Sequence, residues 1–151
     1  MRLFHGSTQI VEKPEIRISR FNKDFYFGFY CTSIEEQSIR WATRFGAGFV
    51  NTYEYREDLC LKVLRFEKMT DEWLDFIVAC RSGKAHDYDI VEGPMADDTI
   101  FNYVQSFIDG QITRDAFWDL AKFKYPTHQI CFCTEKSLTS LTFISARPVH
   151  D

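Results

Sequence analysis

The sequence predicts an α+β fold, formed as a single domain over residues 1–151. Runs rich in β-branched and aromatic residues lie towards both ends of the chain, whereas amphipathic helical patterns fill the middle. This segregation differs from the strict alternation of a doubly wound parallel sheet. A chain of this length buries roughly two thirds of its unfolded surface, so we expect a sizeable hydrophobic core.

Strands are expected where β-branched and aromatic residues concentrate between turn-forming residues. The runs are RLFHGS, EIRIS and GFYCTS in the first third of the chain, CLKVLRF and YDIVEG in the middle, and QICFCT and TFISA near the end. Because GFYCTS leads directly into the first helical pattern, its last residues are expected beside the start of a helix.

The first helix is predicted over residues 34–45. Ser33 and Glu36 have the spacing of a capping box, in which each side chain bonds to the other residue's backbone N–H. Five residues share one face at a helical period, namely Ile34, Ser38, Trp41, Ala42 and Phe45. The Gly-Ala-Gly sequence at 46–48 is expected to end this helix.

Three more helices are predicted in the middle of the chain. They are expected to begin at Thr70, at Asp97 or Asp98, and at Thr113, where side chains can cap the first turn. Gly83 and Gly110 are expected to stop the second and third helices. The residues expected to face the core are Trp73, Phe76, Ile77 and Cys80, then Ile100, Phe101, Val104, Phe107 and Ile108, then Ala116, Phe117, Leu120 and Phe123.

Charge and cysteine content argue against several classes of protein. The formal net charge is −4 and the basic residues are scattered, which argues against a protein that grips a nucleic-acid backbone. The five cysteines include no Cys-x-x-Cys pair, so neither a disulfide framework nor a structural zinc site is expected, and no metal is expected elsewhere. Without a signal peptide or a run of about 18 apolar residues, the chain is expected to be cytoplasmic, with no membrane partner.

His5 and Gly6 follow an apolar run and are expected at the end of the first strand. A glycine at this position lets a flat ligand approach the backbone closely. Tyr30 lies on a strand and Trp41 on the helix that follows, so the two aromatic side chains could sandwich a ring. Each residue also has a structural interpretation, because strand-end histidines usually make surface hydrogen bonds and helix aromatics usually pack in the core.

Taken in order, these segments resemble the motifs of known enzymes. FHGS looks like the first motif of the diphtheria-toxin-like and poly-ADP-ribose-polymerase-like ADP-ribosyltransferases, GFYCTSIEEQSIRWA is similar to their second motif, and THQICFCT matches the third. With YDIVEGPMADD included, positions 3 to about 143 resemble a family of short bacterial ADP-ribosyltransferase-like domains found in toxin–antitoxin pairs and as effector modules.

The resemblance implies a fold of split mixed and antiparallel β-sheets flanked by helices, with NAD as the substrate. It implies that His5 hydrogen-bonds the adenine-side ribose and that the Gly6 backbone, next to Ser7, pairs with the nicotinamide carboxamide. Tyr30 and Trp41 would enclose the nicotinamide ring by stacking.

Two positions depart from the resembled family. Gln129, which forms the implied catalytic set with His5 and Tyr30, stands where active relatives carry a glutamate. An amide can orient the ribose 2′-hydroxyl, but it supplies neither a full negative charge nor a base. Tyr26 stands where the family has glycine, which implies a loop that is stiffer or differently turned.

Four further residues carry hypotheses. Asp98 is a candidate to replace the missing carboxylate, although an acidic residue at a helix start is usually a cap or a first-turn charge. Arg81 is a candidate for binding pyrophosphate, although a cation at a helix end also complements the helix dipole. Cys131 and Cys133 are expected on one face of their strand as buried free thiols.

The resemblance therefore implies an ADP-ribosyltransferase that cleaves NAD at the nicotinamide–ribose bond. ADP-ribose would be transferred to a protein or nucleic-acid acceptor, and the protein would act as a toxin neutralised by a cognate antitoxin. Three alternatives stay open: an NAD glycohydrolase, a catalytically weak or inactive module that binds NAD or ADP-ribose, and a scaffold with a packed aromatic core.

Overall fold

A computed structural model describes residues 1–18, 23–96, 98–122 and 127–150. These residues form strands β1 (Arg2–Ser7), β2 (Phe29–Cys31), β3 (Gly48–Tyr55), β4 (Val63–Arg65), β5 (Ile90–Gly93), β6 (Gln129–Phe132) and β7 (Leu141–Val149). The helices are α1 (Glu35–Ala42), α2 (Asp71–Arg81), α3 (Asp98–Ile108), α4 (Arg114–Ala121) and α5 (Glu135–Leu138). The predicted α+β class is confirmed.

The strands form two sheets. One sheet has the order β1-β3-β7 and is antiparallel throughout, and the other has the order β2-β6-β5-β4, with β4 and β5 parallel. The edge strands β1 and β2 meet at one isolated antiparallel bridge, in which Phe4 and Thr32 exchange N–H···O bonds of 2.8 and 2.9 Å. This bridge joins the two sheets along one side.

Alternation along the strands assigns each sheet two faces with different partners. The inner faces pack on each other through one apolar cluster, which includes Leu3, Phe29, Tyr53 and Phe132. Helix α1 covers the outer face of the three-stranded sheet, and helices α2, α3 and α4 cover the outer face of the four-stranded sheet. The side where β1 meets β2 thus lies between two helical layers.

The strand predictions were right for six runs and wrong for one. In the run EIRIS, the described residues 15–18 form no strand, since Arg17 forms only an isolated bridge to Gly28 and Ile18 is 80% exposed. The sequence reading also missed β3, although β3 is the central strand of its sheet. Five of its eight residues are buried, because a central strand packs on both faces and so lacks a clean polar alternation.

Helix α1 is shorter than predicted and has a different start. It spans Glu35–Ala42, and its N-cap is Ile34, which makes no side-chain capping bond. The predicted capping box at Ser33 is wrong, because the Ser33 N–H donates instead to His128 Nδ1 at 3.0 Å. Phe45 lies beyond the helix and is 83% exposed, so it does not join the apolar face.

The other helix starts and stops follow the sequence more closely. Thr70 and Thr113 cap α2 and α4 by accepting bonds from N–H groups two or three residues inside each helix. Gly83 and Gly110 follow α2 and α3 with positive φ angles of 91° and 73°. Phe101 and Leu120 were expected in the core but are each 44% exposed, and Phe123 lies outside the described residues.

Within the described residues, no helix is long and apolar enough to cross a membrane. The same residues contain no cluster of three or more His, Cys, Asp or Glu side chains arranged to hold a metal ion.

Candidate functional site

Beyond their bridge, β1 and β2 form no further pair among the described residues, and we call the region between Gly6 and Tyr30 the notch. Phe4 turns its N–H and C=O towards β2, and because ladder bonds alternate along a strand, Gly6 turns its own in the same direction. No described residue hydrogen-bonds to the Gly6 backbone there, nor to the Tyr30 N–H. At the notch, the Gly6 N–H, the Gly6 C=O and the Tyr30 N–H therefore have no hydrogen-bond partner among the described residues.

The imidazole of His5 lies at the notch. Its Nδ1 donates to the Tyr30 carbonyl at 2.6 Å, and its ring packs on Phe29 with centroids 4.2 Å apart. This bond assigns the proton of the neutral ring to Nδ1, so Nε2 is an acceptor, and it has no partner among the described residues. Burial lowers the pKa of His5 to about 4, although the bond to Tyr30 opposes this effect.

The depressed pKa of His5 predicts a specific loss of stability in acid. Between pH 6.5 and pH 4 the unfolded chain takes up a proton at His5 that the folded chain does not, so stability present above pH 6.5 is lost as the pH falls. A shift of this size corresponds to about 3 kcal/mol. Urea unfolding at several pH values should show a steeper loss for the wild type than for His5→Gln, and parallel curves would contradict the prediction.

The missing side chain of Gly6 makes room for α1. A Cβ at Gly6 would lie 2.0 Å from the Ser38 carbonyl oxygen, 2.7 Å from the Ala42 nitrogen and 2.9 Å from Trp41 Cβ. We expected the absent side chain to let a ligand approach the backbone, whereas on the face towards α1 it lets the helix approach β1. Trp41 is consequently held against β1, half-buried, with no described ring stacked on its indole.

The side chain of Gln37 anchors α1 to the start of β6 through two hydrogen bonds with the backbone of His128. Gln37 is 1% exposed, donates through Nε2 to the His128 carbonyl at 2.6 Å, and accepts from the His128 N–H at 3.2 Å. The His128 ring in turn contacts Glu92 through Nε2 at 2.7 Å. The helix that carries Trp41 is therefore fixed relative to both sheets.

Tyr30 lies on the outer face of β2, and its hydroxyl is fully engaged. The hydroxyl donates to the Tyr26 carbonyl at 2.6 Å and accepts from the Phe25 N–H at 3.1 Å. Burial raises the pKa of Tyr30 well above its usual value, so the residue stays neutral. Only its ring is available for a ligand.

In the loop before β2, Tyr26 has a backbone conformation that is typical of glycine. Tyr26 has φ +74°, in the left-handed region that disfavours residues with a Cβ. This conformation directs its carbonyl onto the Tyr30 hydroxyl. A residue with a Cβ adopts this conformation at a cost of about 1–2 kcal/mol. The expectation that the loop is stiffer or differently turned than one with glycine stays a prediction.

Lys23 places its ammonium nitrogen 5.2 Å from the centre of the Tyr30 ring. This distance is within the range of cation–π attraction. Burial lowers the pKa of Lys23, which indicates that the ammonium is partly desolvated over the ring. The Tyr30 ring is therefore a surface that accepts a cation.

Gln129 is 4% exposed and faces the same side of the sheet as Tyr30. Its Nε2 donates to Asp24 Oδ2 at 3.0 Å, and Asp24 Oδ1 accepts from Arg81 Nε at 2.9 Å and Nη2 at 2.6 Å. The Ala96 N–H also donates to Asp24 Oδ2, at 3.0 Å. The amide is therefore oriented with its nitrogen towards Asp24, which leaves its carbonyl oxygen as the acceptor.

The structure places the Arg81 side chain, whereas the hypothesis about Asp98 stays a prediction. The Arg81 side chain is 4% exposed and bound to Asp24, so a buried ion pair, rather than pyrophosphate, occupies its guanidinium. Asp98 is the first residue of α3, but its side chain and all of Asp97 lie outside the described residues. Ser7 is half-buried and accepts from the Gln9 N–H at 3.2 Å.

Sequence reasoning missed Asp24 and Lys23. Both lie in a loop, where no periodicity marks a residue as buried or placed. Their position next to the aromatic run FYFGFY was the one available signal.

No curated protein and no solved structure matches the chain in sequence comparisons. A protein-family model described as "Protein of unknown function (DUF3990)" matches residues 1–143. The match covers β1 to β6, the first three residues of β7 and every residue of the notch. The chain therefore belongs to the DUF3990 family, whose description names no activity.

Proposed function

We propose that the protein is an NAD-dependent ADP-ribosyltransferase with an ADP-ribosyltransferase-like split-sheet fold, acting as the toxin of a toxin–antitoxin pair. The observation that carries this proposal is the notch, where open backbone groups of Gly6 and Tyr30 lie beside an unpaired imidazole nitrogen of His5. A carboxamide and a ribose hydroxyl supply the groups that these atoms lack.

The nicotinamide end of NAD fits the notch by its chemistry. Its carboxamide offers both a donor and an acceptor, which matches the N–H and C=O of Gly6. Its pyridinium ring is a flat cation, and the Tyr30 ring already faces the ammonium of Lys23. In the complex we expect the pyridinium to replace that ammonium over Tyr30, with Trp41 of α1 bounding the other side.

The hydroxyls of the adenine-side ribose fit His5, and those of the nicotinamide-side ribose fit Gln129. Because Nδ1 of His5 donates to Tyr30, Nε2 accepts a hydroxyl proton, and the Gln129 carbonyl oxygen is oriented to accept another. When the glycosidic bond breaks, positive charge develops on the ribose carbon. Gln129 would face this charge with its amide dipole, and the Asp24 carboxylate would lie behind the amide, out of direct contact with the ribose.

The same geometry favours a second candidate, an NAD- or ADP-ribose-binding module with weak or no catalysis. Asp24 is neutralised by Arg81, so no described carboxylate beside Gln129 is free to act as a base. An acceptor that brings its own base would reconcile this geometry with transfer, and water as the acceptor would make the protein a glycohydrolase.

Labelled NAD tests the proposal. The protein is incubated with NAD labelled on the adenylate and with a bacterial lysate, and macromolecular label is counted. We expect transfer by the wild type and a loss of about tenfold or more for His5→Ala, since a group that binds the transition state is removed. His150→Ala removes an exposed histidine and should transfer normally.

The pattern of products separates the alternatives. Free ADP-ribose without labelled macromolecule indicates a glycohydrolase, and NAD binding without turnover indicates a binding module. A protein that does not bind NAD and does not turn it over would be a scaffold, and this result would contradict the proposal. Growth arrest on expression, relieved by His5→Ala, would support the toxin role, and rescue by a co-expressed partner would identify the antitoxin.

A further inference from the structure

A second cavity lies away from the notch, at the opposite end of β6. It has a volume of about 270 Å³ and is lined mainly by apolar and aromatic side chains, with His86 and Cys133 in its wall. Cys133 is four residues beyond Gln129, which places it roughly 13 Å along the strand direction from that residue. The cavity is therefore distinct from the proposed NAD site.

Two thiols meet at this cavity. Cys131 and Cys133 lie on the same face, as the sequence predicts, and their sulfur atoms are 3.3 Å apart. Cys131 is fully buried and Cys133 is half-buried at the cavity wall. One sulfur is thus accessible from the cavity, with the other directly behind it.

His86 places a ring N–H next to the accessible thiol. Its Nδ1 accepts from the Tyr88 N–H at 3.1 Å, so the proton of the neutral ring is on Nε2. Nε2 donates to the Phe25 carbonyl at 3.0 Å and lies 3.9 Å from the Cys133 sulfur. The ring N–H can therefore stabilise a Cys133 thiolate.

The charges around the pair are consistent with a thiolate at Cys133. A hydrogen bond from Cys131 and then the contact with His86 lower the pKa of Cys133 to about 6, against opposing effects of burial and of Asp89. Burial raises the pKa of Cys131 well above its usual value, so Cys131 keeps its proton. For His86, burial opposes protonation, but its bonds to Cys133 and Phe25 raise its pKa overall, with Asp87 adding to this.

We propose that Cys133 is a hydroperoxide-reactive thiol and that Cys131 resolves it to an intrachain disulfide, with the N–H of His86 stabilising the Cys133 thiolate. Cys133 releases its proton to solvent, and its thiolate attacks the terminal oxygen of a hydroperoxide ROOH. An S–O bond forms as the O–O bond breaks, and the alkoxide leaves as ROH with a proton from solvent. The Cys131 thiol then attacks this sulfenic acid, so that an S–S bond forms and water leaves. In sum, two thiols and ROOH give a disulfide, ROH and water.

The bridge needs a backbone movement at Cys133. The two sulfur atoms already lie 3.3 Å apart, and Cys133 follows the last residue of β6. Residues two apart on a strand hold their Cβ atoms roughly 6.6 Å apart, whereas a disulfide holds them about 3.5–4.5 Å apart, so Cys133 must move towards Cys131 as the bond forms. Cys131 lies opposite Tyr30 in the β2–β6 pair, and the absence of a side chain at Gly28 leaves space for its sulfur. Oxidation therefore alters packing directly under Tyr30.

Peptide mapping after treatment with a small excess of hydrogen peroxide tests the proposal. We expect a disulfide within the peptide that holds Cys131 and Cys133, while exposed Cys60 serves as an internal reference. Cys131→Ser should stop at a sulfenic acid that dimedone traps on Cys133, Cys133→Ser should form neither product, and Cys60→Ser should behave as wild type. Oxidation of Cys60 before the pair, or the absence of the disulfide, would overturn the proposal.

Iodoacetamide rates at pH 6.5 give an independent measurement on the folded wild type. A thiol of pKa about 6 is mostly ionised there, and after allowing for its lower nucleophilicity we expect Cys133 to react about fivefold faster than the exposed thiol of Cys60. His86→Gln should reduce that ratio towards one. A Cys133 rate below that of Cys60, unaffected by His86→Gln, would also overturn the proposal.

Discussion

Replacing Asp24 with alanine is expected to lower the free energy of unfolding by about 3–5 kcal/mol. The Asp24 carboxylate is 9% exposed and pairs with the Arg81 guanidinium, which is 4% exposed. Removing it takes away the carboxylate that balances the buried Arg81 charge, and it also removes an acceptor from the Nε2 of Gln129 and from the N–H of Ala96. Urea or thermal unfolding followed by circular dichroism measures the loss.

Two variants control this prediction. Asp75→Ala makes the same change at an exposed ion pair with Arg114, and should cost less than about 1 kcal/mol. Asp24→Ala combined with Arg81→Met removes both charges and should recover much of the stability. Equal losses of unfolding free energy for Asp24→Ala and Asp75→Ala would show that the buried ion pair contributes no more to stability than the exposed one.

Replacing Gly6 with alanine is expected to cost about 3 kcal/mol or more. The added Cβ would stand 2.0 Å from the Ser38 carbonyl oxygen, and this neighbour is helix backbone that cannot rotate away. Helix α1 must therefore shift off β1, and it carries Trp41 with it. We also expect weaker NAD binding in this variant if the proposed function holds.

Gly110→Ala is the matched control. It makes the same substitution at a glycine with φ +73°, where no described residue beyond the adjacent backbone lies within 4 Å of the new Cβ, so only backbone strain of about 1–2 kcal/mol is expected. Differential scanning calorimetry on both variants separates steric conflict from conformational strain. A Gly6→Ala protein as stable as Gly110→Ala would mean that α1 does not need its close approach to β1.

The sequence by itself determined the fold class, most of the strands, and the features that depend on near neighbours. Thr70 caps α2 through its own side chain, and Cys131 and Cys133 share a face because side chains alternate along a strand. Such features involve residues a few positions apart, so local spacing is sufficient to predict them.

Only the tertiary structure decided which distant groups became partners. Ser33 has the spacing of a capping residue, yet its N–H bonds to His128, which lies 95 positions away. Arg81 ends its helix as predicted, but Asp24, 57 positions away, determines its environment and through it the orientation of Gln129. Burial and charge pairing between remote segments outweigh local preference at these positions, because a buried polar group must find a partner wherever the fold brings one.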